Sequence, residues 1–477
     1  MGLGSIAFVQ EPIGDSTTSP VITNWNPIVP YTVHQDDISS LFYFKLILEV
    51  RFDDASGTLL AKIKQRRNGY ADDVTGDEAR ATFDLRDIVN SQLELTIVDQ
   101  NSTTNSIHTL GANATTKPYS QNSNQLKTIY VKAYQEYSLS ANISPTEDLT
   151  PTVNDTKYYI AASLDLNTAR GTDDFQTTAF SNYSLDGATK LFLSDIEDSV
   201  AEYNLGSVKR NYIQETDYHT IAFLNDDTAF DSTLKYIQIK YYTVGGAQIG
   251  STNYITNNNT YGGAIPDSEV NTDAERLIYF GCGAANLEAL TSPLDTANPS
   301  NFTDWAYYTI RGTSTTGGSP TYKTSTYYFI KQDGSCKGFK VRRLAWRNSL
   351  GAYDYFNFKM KSTQTIEVTR YNYESLLGNF SGDMYSYDNF GRGKNTIKID
   401  AVLKETIQTD WITEQDANLL ENLIKSTNVF IIENADTTYT VPVMVTSNSF
   451  VRKTSANDKL IKYTINIEYA NPINTNS

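Results

Sequence analysis

Short runs of aromatic and β-branched residues, each closed by a turn signal, recur along nearly the whole chain. A chain patterned this way folds into sheets, because such runs suit a pleated surface and are too short for helices. Leu41–Phe52, LFYFKLILEVRF, sets the pattern with an almost continuously apolar stretch. Asp53-Asp54-Ala55-Ser56-Gly57 then signals a turn. Leu59–Gln65 returns with Leu59, Ala61 and Ile63 opposed to Leu60, Lys62 and Lys64, the alternation of a hairpin strand.

The same reading predicts strands at Ala81–Leu85, Leu126–Ser140, Lys157–Leu166, Thr220–Leu224, Leu234–Val244 and Arg276–Phe280. More follow at Tyr307–Ile310, Tyr322–Ile330, Phe339–Trp346 and Phe356–Met360. In Leu234–Val244, Ile237, Ile239 and Tyr241 share a face, and Gly245-Gly246 turns the chain into a return strand. Residues 87–95 read equally as a short helix or a loop. Residues 99–125, dominated by Asn, Ser and Thr, read as a long surface excursion. Residues 141–156 read as a linker or large loop.

One helix stands out. Thr413-Glu414-Gln415-Asp416 has capping-box spacing, with Thr413 at the N-cap and Asp416 at N3. Leu419, Leu420, Leu423 and Ile424 recur at helical intervals, and the helix should end near Ser426–Asn428. Strands Val429–Glu433, Tyr439–Thr446 and Ile461–Glu468 follow. The expected fold is therefore mainly β, built of antiparallel β-sandwich-like modules with a C-terminal β-helix-β (α+β) unit. At roughly 150 residues per domain, 477 residues suggest about three domains, and two large β domains would also fit. The expected division is an N-terminal arm at 1–20, a β-sandwich-like domain at 21–145, a second β-rich domain at 146–345 and an α+β assembly module at 346–477.

Composition narrows the function. Aromatic residues at 12% are too many for a disordered chain. A net charge of −16 opposes general binding to nucleic acid, which needs positive potential. His34, His108 and His219 are far apart and form no metal or hydrolase motif. His34 beside Asp36 and Asp37, and Asp72-Asp73 with Asp77 and Glu78, are weak cation candidates; a structural histidine and a solvated acidic loop are the plainer readings. No carboxylate pair for glycoside hydrolysis is localised. No catalytic residue, cofactor or metal is expected. Cys282 and Cys336 are read as buried thiols, with a single disulfide as the alternative. No stretch approaches 18 apolar residues, so no membrane-spanning helix is expected. Met1–Phe8 does not read as a secretory signal. A protein made in a host cytoplasm yet rich in surface-type Asn, Thr and Tyr suits a virion.

Tyrosine, at 33 residues, is the most informative excess. Tyr158-Tyr159, Tyr241-Tyr242, Tyr307-Tyr308 and Tyr327-Tyr328 lie in expected strands, where neighbours face opposite ways. Each doublet should offer one ring to the core and one outward. Tyr159, Tyr242, Tyr308 and Tyr328 are the candidates for subunit or ligand contact, with plain β propensity as the simpler account. The sharpest basic run is Lys337–Arg347, KGFKVRRLAWR. Lys340, Arg342, Arg343 and Trp346 are interface candidates there, together with Trp411. The basic run reads as a solvated strand face, as a partner for acidic groups of a neighbour, or as a contact for DNA in a particle lumen.

Four segments carry a resemblance: Asn26-Pro27-Ile28-Val29, ATFDLRDIV at 81–89, AWRNSLGAYDYFNF at 345–358, and Trp411-Ile412 with the helix after it and the YTINIEYANP ending. Together they resemble structural proteins of tailed bacteriophages infecting Bacteroidota, crAss-like and related marine phages among them. The resemblance implies a non-enzymatic tail hub, neck or ring component that closes into a symmetric collar or tube. It implies a cyclic homo-oligomer contacting other tail or neck proteins, with no membrane and no specific nucleic acid, and transient contact with packaged DNA at most. A tail receptor-binding protein that recognises surface glycan is the alternative, and a glycan-degrading tail enzyme comes third.

Overall fold

The computed structural model describes residues 4–12, 21–22, 30–67, 77–94, 106–111, 118–122, 124–162, 183, 190–200, 203, 205–224, 234–256, 277–288, 305–332, 338–387, 390–391, 393–434, 438–447, 449–452 and 461–471. The fold is mainly β, with several antiparallel sheets. It divides into two units. Unit 1 is Met1–Lys331 with Asn348–Asp354, and unit 2 is Gln332–Arg347 with Tyr355–Ser477.

In unit 1 the expected hairpin forms from Phe42–Phe52 and Leu59–Arg66. It belongs to a five-stranded sheet with Leu126–Ser138, Thr146–Ile160 and Val21–Ile22. A three-stranded sheet of Ile6–Gln10, Tyr31–Gln35 and Ala79–Phe83 shares its core. Leu46, Leu48, Val50, Ile129, Val131 and Ala133 from one sheet meet Tyr31, Val33, Ala81 and Phe83 from the other. These residues follow the period-2 rule along each strand, so one face of each sheet is withdrawn from water. The ambiguous stretch after residue 86 opens with a short helix, Arg86–Asn90, which adds Val89 to this core.

Three expectations are corrected here. Residues 141–156 are no linker: Thr146–Ile160 is a long strand paired along Leu126–Ser138, so the border set at 145 falls within a hairpin. TEDLTPTVNDT hides this strand because its outer half faces solvent, and Pro151 sits where the ladder is interrupted, between Val153 and Asp148. The N-terminal arm at 1–20 includes a strand, Ile6–Gln10, whose Ile6 enters the core. Within 99–125, the described Ile107, His108, Thr109 and Tyr119 are buried, not an excursion. Asn286 Nδ2 donates to the carbonyls of His108 and Leu110, which fixes that segment inside.

The rest of unit 1 is a six-stranded sheet facing a three-stranded one. The larger runs Asp198–Val200, Ser207–Ile213, Tyr327–Lys331, Tyr307–Thr313, Tyr236–Tyr242, Gln248–Thr256. Ser207–Ile213 pairs with Tyr327–Lys331 in parallel, a departure from the antiparallel expectation. The smaller joins Thr220–Leu224, Leu277–Gly281 and Tyr119–Gln121. Ile237, Ile239, Tyr241, Tyr308, Ile310 and Phe329 from one meet Ile221, Phe223, Ile278 and Phe280 from the other. Cys282 is buried in this core; Cys336 lies outside the described residues.

Unit 2 holds a seven-stranded sheet in the order Tyr353–Phe358, Arg342–Arg347, Val429–Asn434, Thr438–Val445, Thr464–Tyr469, Lys394–Gln408, Thr363–Glu374. The helix Glu414–Lys425 forms with the expected cap. Thr413 Oγ1 accepts from the Asp416 N–H, and Asp416 Oδ2 accepts from the Thr413 N–H, both at 3.3 Å. Ala417, Leu419, Leu420 and Leu423 are its buried stripe. Unanticipated is the hairpin of Thr363–Glu374 and Lys394–Gln408, paired from Thr363↔Thr406 to Glu374↔Lys394. All of Thr363–Glu374 is exposed.

Candidate functional site

The basic run does not present the expected charged face. Arg342 is buried and donates from Nε to Glu405 Oε1 at 2.7 Å and from Nη1 to Glu433 Oε1 at 2.5 Å. Arg343 is buried too; its Nη1 donates to Asn357 Oδ1 at 2.8 Å and its guanidinium lies over the Tyr355 ring. Trp346 and Arg347 are likewise inside. Lys340 is exposed but pairs with Glu433 at 3.1 Å. The acidic partners are thus in the same chain. A guanidinium so enclosed cannot reach a phosphate or a neighbouring subunit, which corrects Arg342, Arg343 and Trp346 as interface candidates. Lys337 lies outside the described residues. Trp411 is exposed, as an interface residue must be.

The tyrosine doublets sort by sheet face. In the six-stranded sheet Tyr241 and Tyr327 point into the core, leaving Tyr242 and Tyr328 half-buried on the other face, as expected. The third doublet is reversed: Tyr308 is the inner ring, and its hydroxyl donates to the Cys282 carbonyl at 2.7 Å. Tyr159 also lies in a core. Tyr159 and Tyr308 are therefore packing residues and not contact candidates. Register explains the reversal, because Tyr242 lies opposite Tyr307 and Tyr241 opposite Tyr308. The outer face carries a tyrosine stack. Tyr242 and Tyr307 lie 4.8 Å apart and nearly parallel, and Tyr203 stacks on Tyr307 at 5.7 Å. Burial among these rings pushes the Tyr242 and Tyr307 phenols above their ordinary pKa.

The weak cation candidates have protein partners. His34 Nε2 lies 2.9 Å from Glu78 Oε2. Asp36 accepts from the Ser5 amide and hydroxyl, and Asp37 accepts from Ser39. Asp72 and Asp73 lie outside the described residues. Among the described residues no cluster of three or more His, Cys, Asp or Glu could hold a metal ion, and no helix is long and apolar enough to cross a membrane.

A buried carboxylate was not foreseen. Asp354 accepts from the Ser194 hydroxyl at 2.6 Å, the Asp195 amide at 3.0 Å and Asn348 Nδ2 at 3.1 Å. Burial, reinforced by the nearby Asp195 charge, pushes its pKa up to about 7. Asp195 in turn accepts from the Ser349 amide and hydroxyl. This network holds Asn348–Asp354 within unit 1. Gly351 sits in it with φ +88, and a Cβ there would meet the Ala161 carbonyl at 2.4 Å. The quoted segment AWRNSLGAYDYFNF is where the chain passes from unit 2 to unit 1 and back.

Among the described residues, exposed large apolar side chains are most concentrated on the hairpin of unit 2. Its far end is a small second hairpin, Asn379–Ser381 with Met384–Ser386, turned by Gly382 at φ +64 and Asp383. Leu376, Phe380, Met384, Tyr385, Tyr387 and Phe390 are all exposed there, Met384 at 75% and Phe390 at 85%. The Tyr385 hydroxyl donates to the Leu377 carbonyl, and its ring lies 5.3 Å from that of Phe380. Sequence reading missed this arm. TQTIEVTRYNYE is rich in Thr, Val and Tyr, and LLGNFSGDMYSYDNFGRG spaces its glycines like turns; those were the available signals.

No protein-family model matches the chain, and no curated protein matches it.

Proposed function

We propose that the chain is a non-enzymatic structural component of a tailed-phage virion, a tail hub, neck or ring protein. Copies join into a symmetric collar or tube through the C-terminal α+β module. The observation that supports this most is the long hairpin of unit 2. It ends the sheet in a 12-residue exposed strand, whose outer edge is a template for another chain. Its tip carries several exposed large apolar side chains close together in sequence, which a lone molecule has reason to avoid. Repeated association covers such a surface on every copy. Cryo-EM of the purified full-length chain tests this reading. Rings or tubes of fixed symmetry are expected, and a monodisperse monomer at all concentrations overturns it.

A receptor-binding role has one observation of its own. Half-buried Tyr242 and Tyr328 flank a stacked tyrosine face beside Arg311, whose guanidinium lies 3.5 Å from the centre of the Tyr322 ring. Aromatic faces of this kind suit sugar stacking. Saturable glycan binding lost in Tyr242→Ala would favour that reading over the collar.

A further inference from the structure

We propose that the unit 2 arms of successive copies pair edge to edge, so that a closed ring of this chain carries a continuous β-barrel with two strands from each copy. The inference rests on the collar reading above and names the contact that closes the ring. Thr363–Glu374 is the last strand of its sheet, so its outer edge is unpaired. The arm has a second open edge. Thr464–Tyr469 runs beside Lys394–Gln408 only over residues 404–408. Among the described residues no strand lies beside 394–403 on that side. Beyond the sheet the arm is thus a ribbon of two strands, with all of Thr363–Glu374 exposed. A two-stranded ribbon standing alone in water is marginal, and a third strand is what steadies it. Natural edges are blunted by Pro, by Lys or by shortness. Thr363–Glu374 has neither Pro nor Lys and runs for 12 residues.

The arm itself identifies the strand that fits each edge, because its two strands already match along their shared ladder. Ile366 lies opposite Leu403 and Val368 opposite Ala401, so the base of the ribbon has one apolar face. On the other face Thr365, Glu367, Thr369 and Tyr371 oppose Lys404, Val402, Asp400 and Lys398. There Glu367 pairs with Lys404, and Lys398 pairs with Asp400 at 2.8 Å. Side chains alternate between the two faces of a sheet, so each strand offers the same pattern to a neighbour on its open side. When two arms point the same way, the next copy supplies the complementary strand in the antiparallel sense. An even offset between them keeps apolar beside apolar. An odd offset would set Ile366 and Val368 against the ion-paired face, so register is specified as well as partner.

The two open edges are different surfaces, so the contact is heterologous. A chain bearing one of each repeats the contact until a ring closes. Closure leaves no edge unpaired in the barrel. It also sets the tips, with exposed Leu376, Phe380 and Met384, side by side at the end of the barrel, where neighbouring copies shield them from water.

The test uses the full-length protein. Hydrogen exchange is compared between the dilute chain and its assembly. Within one chain the ladder bonds only alternate amides of Thr363–Glu374, and the outward-facing ones should slow by about tenfold or more on assembly. Cross-linking then fixes the partner. Val368→Cys is mixed while dilute, in turn, with Ile399→Cys, Ala401→Cys and Leu403→Cys, and then assembled under mild oxidation. One of these three should link to residue 368 of a different copy, identified by peptide mass. Asp400→Cys and Val402→Cys face the other way and should not link, since a disulfide needs Cβ atoms about 4 Å apart. Val368 is exposed, so Val368→Lys should keep the wild-type circular dichroism and melting curve. Its self-association should weaken by about tenfold or more, as for loss of an interface hot spot. A 368–368 link in Val368→Cys alone shows a two-fold junction of like edges and overturns the proposal. Equal linking at residues 400 and 402 overturns it too. Rings or tubes in which the Thr363–Glu374 amides exchange as in the dilute chain overturn this contact while leaving the collar standing. A wild-type monomer at all concentrations overturns both.

Discussion

Arg342 and Glu405 form an ion pair inside unit 2: Nε donates to Oε1 at 2.7 Å, with the arginine side chain 8% exposed and the carboxylate 0%. Burial opposes the charge on Glu405, but hydrogen bonds from Arg342, Gln364 and Tyr469 outweigh it and hold the carboxyl below its ordinary pKa. Removing one partner strands the other. Arg342→Ala should lower stability by about 3–5 kcal/mol, whereas Arg342→Met with Glu405→Leu should recover most of that loss. Urea denaturation followed by hydrogen exchange in Arg342–Arg347 and Lys394–Gln408 checks both. A depressed carboxyl stabilises above its unfolded pKa, and that stability goes as pH falls through the folded value. Acidification below about pH 4.5 should therefore loosen these strands first in the wild type.

Asp354 predicts the opposite sign in unit 1. Its folded pKa, raised to about 7, exceeds the unfolded value of 3.8, so between the two the folded state holds a proton that the unfolded state releases. The contribution is full below the unfolded pKa and is lost as pH rises through 7. From pH 5 to pH 8 this amounts to about 2–3 kcal/mol. Hydrogen exchange at the Asn348–Asp354 and Ser194–Asp195 amides should quicken over that range beyond the intrinsic rate. Asp354→Asn should flatten the change; an unaltered slope in that variant would assign it to other groups.

Strands with one face in a core were the most legible in the sequence, although the buried Ile107–Thr109 and Tyr119 were not. Phe42–Phe52 and Tyr236–Tyr242 each contribute to a core; a near-continuous apolar run marks the first and period-2 alternation the second. Thr363–Glu374 has no face in a core. Ile366 and Val368 alternate with Thr365, Glu367 and Thr369 but fill no core, and its strand character shows mainly in its β-branched and aromatic content. The outer half of Thr146–Ile160 escaped notice for the same reason. Arg342 and Arg343 misled differently: a run of basic residues looks solvated until the strands bearing Glu405 and Glu433 are placed beside it. Tyr307 and Tyr308 take the faces opposite to those expected, because a doublet fixes alternation but not its phase.

The helix cap rests on local spacing alone, so its contribution should be local too. Thr413→Ala removes the acceptor for the Asp416 amide and should cost about 1 kcal/mol. Thr413→Ser should keep most of it. Amides at the first turn of Glu414–Lys425 should exchange faster in Thr413→Ala, while those of Tyr236–Tyr242 stay unchanged. Equal acceleration in both would mean that the substitution acts globally, not through the cap.

The two faces of the six-stranded sheet predict an order of costs. Tyr308 is fully buried, stacks on Phe329 at 4.9 Å and donates to the Cys282 carbonyl. Tyr308→Phe keeps the ring and removes one buried hydrogen bond to that carbonyl, a loss of about 0.5–1.5 kcal/mol. Tyr307, packed between Tyr203 and Tyr242 on the opposite face, loses a whole ring in Tyr307→Ala, about 3–5 kcal/mol. Tyr242 is half-buried, and Tyr242→Phe keeps its stacking surface, so a change of about 0.5 kcal/mol is expected. Denaturant midpoints for the three variants rank them directly. A large loss from Tyr242→Phe would show that its hydroxyl, and not the stacked ring, is what the outer face depends on.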